Sequence, residues 1–145
     1  MTVRGVAVLG STGSVGTTAL RVLARHRDRF RVAALTAFSN TALLADQAGE
    51  FTPSYVGICA NGASPHVGWT EGSECLVEAA TRSDVSIVIN AIVGAAGLDA
   101  TLAAVRAGKR VALANKEALV MAGALVAEAC KGGGEIGRGS CRERG

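Results

Sequence analysis

The chain has 145 residues, of which 49% are hydrophobic and only 3% aromatic, with nineteen glycines and a net charge of +3. That is long enough for one domain with a real core, and the composition excludes disorder in favour of small-residue helices packed closely on a sheet. The mild charge excludes a nucleic-acid footprint, and the longest apolar run, Val85 to Gly97, is too short for a membrane span, so the expectation is a cytoplasmic protein with neither nucleic acid nor membrane as partner.

Val3 to Leu9 is apolar without alternation and predicts a strand buried on both faces, beginning too early to leave room for a signal peptide. Glycines then recur at Gly10, Gly13 and Gly16, and from Val15 a helical period takes over, with Val15, Ala19, Val22 and Leu23 on its inward face. Arg21, Arg25, Arg27, Arg29 and Arg31 cluster at the end of that helix and read as a solvated face. Phe30 to Ala37 is a second strand, and Asn40 to Gly49 a helix with Leu43, Leu44 and Gln47 in step, stopped by Phe51-Thr-Pro53.

Tyr55 to Cys59 is a weaker third strand, and Asn61 to Gly72 reads as loop. Ser73 is the expected N-cap of a short helix from Glu74 to Thr81. Val85 to Asn90 is a strand and Gly97 to Gly108 a helix with Leu98, Leu102 and Val105 inward. Lys109 to Ala114 is the next strand, followed by a helix from about Glu117 to Lys131. The alternation of strand and helix predicts an α/β fold: a Rossmann-like, doubly wound parallel sheet in three αβα layers. Cys59, Cys75, Cys130 and Cys141 are scattered, without metal-ligand or disulfide spacing, and read as incidental thiols. His26 and His66 carry no assignable role.

Four stretches carry chemistry. The turn Gly10-Ser-Thr-Gly-Ser-Val-Gly16 has the spacing G-x-x-G-x-x-G between a strand and a helix, where missing Cβ atoms and a helix N-terminus let backbone amides approach a pyrophosphate. The end of the second strand, Ala37-Phe-Ser-Asn40, lacks the acid that would hold an NAD ribose, which favours NADP(H); Asn40 can also simply cap the next helix. Asn90 to Gly97 leaves the ligand-binding edge of the sheet with small residues against which a cofactor can lie, although close helix packing accounts for its glycines almost as well. Asn115, Lys116 and Glu117 gather at the same edge, where Lys116 would place a positive charge beside an anionic or enolate-like substrate.

With these residues assembled, the chain resembles the N-terminal domain of the 1-deoxy-D-xylulose 5-phosphate reductoisomerases. The likeness runs through Val6 to Gly16, Ala91-Ile-Val-Gly-Ala-Ala-Gly97, Thr101 to Lys109 and Leu113-Ala-Asn-Lys-Glu-Ala-Leu-Val120. It implies an enzyme of non-mevalonate isoprenoid biosynthesis that rearranges a sugar phosphate and reduces it with NADPH, assisted by Mg or Mn, to 2-C-methyl-D-erythritol 4-phosphate. By motif position it implies that Gly10, Thr12, Gly13, Ser14 and Val15 form the cofactor's phosphate site. Phe38, Ser39 and Asn40 would lie at the adenosine ribose, Ala91, Ile92 and Val93 near the cofactor, Asn115 and Glu117 beside it, and Lys116 at the substrate. Phe38 and Ser39 stand where the family commonly has glycine and then a basic or small residue.

The expectation is thus an NADPH-binding domain over residues 1–131, with a glycine- and arginine-rich tail over 132–145 read as a non-native end. The family's catalytic and C-terminal domains, its Asp-Ser-Glu metal motif and its homodimer contacts are expected to lie outside the chain, leaving no catalytic or metal-binding residue within it. A homoserine or semialdehyde dehydrogenase, or a non-catalytic nucleotide-binding module, is the alternative reading.

Overall fold

A computed structural model describes residues 3–60, 68–92, 95–113 and 135–136. In chain order these form β1 (Arg4–Leu9), α1 (Ser14–Ala24), β2 (Phe30–Ala37), α2 (Thr41–Phe51), β3 (Tyr55–Ile58), β4 (Thr70–Glu71), α3 (Glu74–Thr81), β5 (Ile87–Asn90), α4 (Ala96–Arg106), β6 (Arg110–Leu113) and β7 (Glu135–Ile136). The strands make one sheet in the order β4-β3-β2-β1-β5-β6-β7, and every pairing is parallel. This is the doubly wound sheet that the alternation predicts. The chain leaves β1 in one direction through β2, β3 and β4, then returns to β1's other side as β5. That reversal opens a crevice at the carboxyl ends of β1 and β5, where ligands bind in such sheets.

Side-chain alternation divides the core between the two faces. Val6 and Val8 of β1 join Leu20, Leu23, Leu35 and Leu44 under α1 and α2, whereas Ala7 and Leu9 join Leu76, Ala79, Val88, Ala100 and Val105 under α3 and α4. Where β1 pairs with β2 the register slips between Val6 and Ala7, so that Val6 faces Val32 and Ala7 faces Ala34. Ala33 is the extra residue, and it lets Val32 and Leu35 share one face despite their odd separation.

Several expectations are corrected. On α1 it is Gly16, Leu20 and Leu23 that face the sheet, while Val15 and Val22 are 45% and 50% exposed. Both stripes have helical spacing, and the close approach at Gly16, described below, decides between them. Ser73 makes no side-chain cap; its backbone is already helical, so its hydroxyl is not placed over the first turn. Thr70–Glu71, expected as loop, form β4 against Gly57 and Ile58. Within 132–145, where no strand is expected, Glu135–Ile136 pair with Arg110 and Val111 of β6. Lys109 lies in the turn that closes α4 instead of starting a strand, because its N–H donates to the Ala104 carbonyl around Gly108. The helix expected over 117–131 lies outside the described residues.

The arginine cluster is a solvated surface, as expected. Arg27 lies 3.6 Å from Glu50 and stacks over the Phe51 ring at 4.9 Å, tying the turn after α1 to α2. More than half of each charged side chain is exposed, so the pair contributes at most ~1 kcal/mol.

Candidate functional site

The glycine turn is held from three directions. Gly10 adopts φ +80°, a left-handed conformation that glycine tolerates without a Cβ clash. The N–H groups of Gly10 and Ser11 both donate to the Thr36 carbonyl of β2, at 3.0 and 2.8 Å. The Ser11 hydroxyl, fully buried, donates to Oε1 of Gln47 at 2.7 Å, and Nε2 of Gln47 donates back to the Ser11 carbonyl at 2.9 Å. A Cβ on Gly16 would lie 2.2 Å from the Gly10 carbonyl oxygen and 2.7 Å from the Ser11 Cα. Helix α1 can therefore begin against the turn only because residue 16 is glycine.

This packing sorts the amides of the turn into two groups. Those of Gly10 and Ser11 are spent on β2, and that of Gly13 donates to the Gly10 carbonyl at 3.2 Å. The N–H groups of Thr12, Ser14 and Val15 donate to no described residue, and α1 has neither a side-chain cap nor an acid in its first turn. A helix start left open in this way carries positive potential and unsatisfied donors, which suits an anion. Gly13 was expected to contact the phosphates; its amide is turned inward, and what it offers is a bare backbone.

Beside the turn is a cavity of about 510 Å³ lined by Gly10, Thr12, Gly13, Phe38, Ala91 and Ile92, together with Cys59, Ser73 and Leu76. Six residues expected from the sequence thus meet at one place. Phe38 is 70% exposed, an aromatic face offered to the cavity mouth. Ser39 and Asn40 follow it on the surface, at the start of α2. Asn40 caps that helix, its Oδ1 accepting from the Leu43 N–H at 3.2 Å, which leaves the Nδ2 group as a donor. No acid stands between Ala37 and Thr41.

The third wall is held by Asn90, which is 1% exposed. Its Oδ1 accepts from the Ile92 N–H at 3.0 Å, and its Nδ2 donates to the Gly97 carbonyl at 2.9 Å and to the Thr101 hydroxyl at 2.7 Å. These three contacts engage both polar atoms of the side chain, so Asn90 shapes the loop after β5. Val93, Asn115, Lys116 and Glu117 lie outside the described residues.

Sequence reasoning gave Gln47, Cys59, Ser73 and Leu76 no place at the site. Gln47 signals itself as a polar residue at a buried helical step, and Cys59 by its place at the end of a strand. Ser73 and Leu76 reach the cavity through the packing of α3, which no local pattern reveals. The Cys59 and Cys75 sulfurs are 3.8 Å apart, and burial is the main cause that pushes both thiols above their usual range. Among the described residues no group of three or more His, Cys, Asp or Glu could hold a metal ion, and no helix is long and apolar enough to cross a membrane.

The profile of the 1-deoxy-D-xylulose 5-phosphate reductoisomerase family matches residues 6–123. The reductoisomerase of Janthinobacterium sp. is 49% identical over 144 residues, a match covering 90% of this chain and 36% of that protein. The reductoisomerase structure from Zymomonas mobilis in complex with NADPH superposes with a TM-score of 0.83 at 41% identity, covering 93% of this chain and 38% of that one. A DOX-P reductoisomerase in complex with NADPH, fosmidomycin and magnesium gives 0.84 at 42% identity, over 92% and 35% of the two chains. The chain thus spans little more than a third of the relatives it matches. Homoserine dehydrogenase from Thiobacillus denitrificans, at a TM-score of 0.67 and 23% identity, is alike in fold alone.

Proposed function

The chain belongs to the 1-deoxy-D-xylulose 5-phosphate reductoisomerase family, and from that membership we propose that it supplies the NADPH-binding region of an enzyme converting 1-deoxy-D-xylulose 5-phosphate into 2-C-methyl-D-erythritol 4-phosphate. The observation that carries the reading is the crevice between β1, β2 and β5, where a helix start whose Thr12, Ser14 and Val15 amides donate to no described residue adjoins a cavity whose β2 side has no acid.

In this reading the pyrophosphate lies over the N–H groups of Thr12, Ser14 and Val15, with Gly10 and Gly13 giving close backbone approach. The Phe38 ring packs against the adenosine, and the Ser39 hydroxyl and Asn40 Nδ2 donate to the 2′-phosphate, an anion that Asp or Glu at this edge would repel. Ala91, Ile92 and Val93 line the nicotinamide side, with Asn115 and Glu117 beside it and Lys116 toward the sugar phosphate. Bound NADPH supplies a hydride; the chain's part is to hold and orient it. The described residues offer no set of His, Cys, Asp or Glu that fits a divalent metal. A cytoplasmic location and a homodimeric parent enzyme complete the proposal.

Titrating the chain with NADPH and NADH, followed by nicotinamide fluorescence, tests this. The expected result is NADPH binding at least about tenfold tighter, the worth of roughly 1.4 kcal/mol from donors to the 2′-phosphate. Equal affinities would remove the 2′-phosphate assignment, and binding of neither would remove the cofactor site.

A further inference from the structure

Cys59 directly follows β3, and Cys75 is the second residue of α3. Their meeting has a local cause. Residues 57 and 59 point to the same face of the strand, and residue 57 is glycine. A Cβ there would fall 2.5 Å from the Cys75 Cβ and 2.8 Å from its sulfur. The missing side chain lets α3 sit against the strand, and one step further along the Cys59 thiol arrives 3.8 Å from that of Cys75. Cys75 is fully buried, whereas Cys59 is partly open and lines the cavity.

No third metal-ligating residue accompanies the two thiols among the described residues. Two sulfurs in contact, one reachable through a cavity and the other enclosed, have instead the arrangement of an attacking thiol and a resolving thiol. Side-chain rotation must bring them to the ~2.05 Å of an S–S bond. We propose that Cys59 and Cys75 are an oxidisable dithiol, closed to a disulfide by a small-molecule disulfide of the glutathione class, and that a cofactor in the cavity shields Cys59 from it.

The exchange balances. The Cys59 thiolate attacks one sulfur of oxidised glutathione and expels a glutathione thiolate, which takes a proton from water. The Cys75 thiol then attacks the Cys59 sulfur and expels the second glutathione as a thiolate, which takes up the proton that Cys75 loses. Two protein thiols are oxidised to one disulfide, and one glutathione disulfide is reduced to two thiols. The protein is locked at β3–α3 along one wall of the cavity. Because burial keeps both groups protonated at neutral pH, the exchange is slow.

The shielding clause rests on the cofactor reading; the disulfide does not. The test treats the full chain with excess oxidised glutathione at pH 8, blocks residual thiols with N-ethylmaleimide and maps the non-reduced digest by mass spectrometry. Cleavage after Glu71 separates the two cysteines in sequence, so the expected product is a Cys59–Cys75 linked peptide pair that reduction splits. Cys75→Ser should stop at the Cys59–glutathione mixed disulfide, and Cys59→Ser should leave Cys75 unmodified in the folded chain. Disulfides placed chiefly on Cys130 or Cys141, or modification of Cys75 in Cys59→Ser at the rate seen in urea, would overturn the proposal. Saturating NADPH should slow closure at least tenfold. Unchanged closure with NADPH bound would overturn the shielding clause, whereas closure in a chain that binds no NADPH would count only against the cofactor reading.

Discussion

Gly16→Ala adds one methyl group at the point where α1 meets the turn, and the atoms in its way are backbone at 2.2 and 2.7 Å. Backbone cannot rotate aside as a side chain can, so the turn or the helix must shift. A loss of about 1–3 kcal/mol is expected in urea unfolding, together with weaker NADPH binding in titration. Gln47→Leu keeps the helix and its bulk but leaves the Ser11 hydroxyl without its acceptor and the Ser11 carbonyl without its donor, both buried. The expected cost, again read from urea unfolding, is about 1–3 kcal/mol for each orphaned group. The two residues differ in how visible they are in the sequence. Gly16 announces itself by its spacing from Gly10 and Gly13, since a motif is a local pattern. Gln47 shows in the sequence only as a polar residue in step with Leu43 and Leu44, and its partner stays hidden because it lies 36 positions away.

At the scale of elements, β2 and α3 are legible to the residue. Phe30 to Ala37 is a mostly apolar run, interrupted by Arg31 and Thr36, between an arginine-rich helix end and a polar turn, and Glu74 to Thr81 opens with an acid and keeps a helical period. Helix α1 is legible as a helix but not in its orientation, because Val15–Val22 and Leu20–Leu23 both offer apolar stripes. Two-residue strands such as β4 carry no period at all; they form because a neighbouring strand offers unpaired backbone. Tyr55, the single tyrosine, shows what such packing does to chemistry. Its hydroxyl donates to Glu78 on α3 at 2.7 Å, and burial first, then Glu78, raises it well above the ordinary phenol value of 10.0. A group raised on folding stabilises the fold below its unfolded pKa and loses that contribution as pH climbs past it. Absorbance at 295 nm should therefore show no phenolate near pH 10 in the folded chain and normal titration in urea. Thermal stability should fall once the pH rises above 10.

The described residues form a sheet with different helices packed on its two faces and a cavity at the point where the winding changes direction. Strand order is legible in outline because parallel strands joined by helices have few right-handed arrangements. The end of the chain is not. Glycine and arginine around Glu135–Ile136 give no strand signal, and the pairing is supplied by the edge of β6. Residues brought together from distant parts of the chain, such as Cys59 with Cys75 or Phe38 with Ile92, become neighbours only through this topology.

The Thr36 carbonyl, which accepts from both Gly10 and Ser11, has one more consequence. It makes the turn a site-resolved clock for isotope exchange. In deuterated buffer the Gly10 and Ser11 amides should exchange slowly whether or not cofactor is bound, because their protection comes from the sheet. The Thr12, Ser14 and Val15 amides should exchange quickly alone and slowly with NADPH. Protection at 10 and 11 reports that the domain has folded, and protection at 12, 14 and 15 that the site is filled. Adjacent amides thus record two separate events in one spectrum.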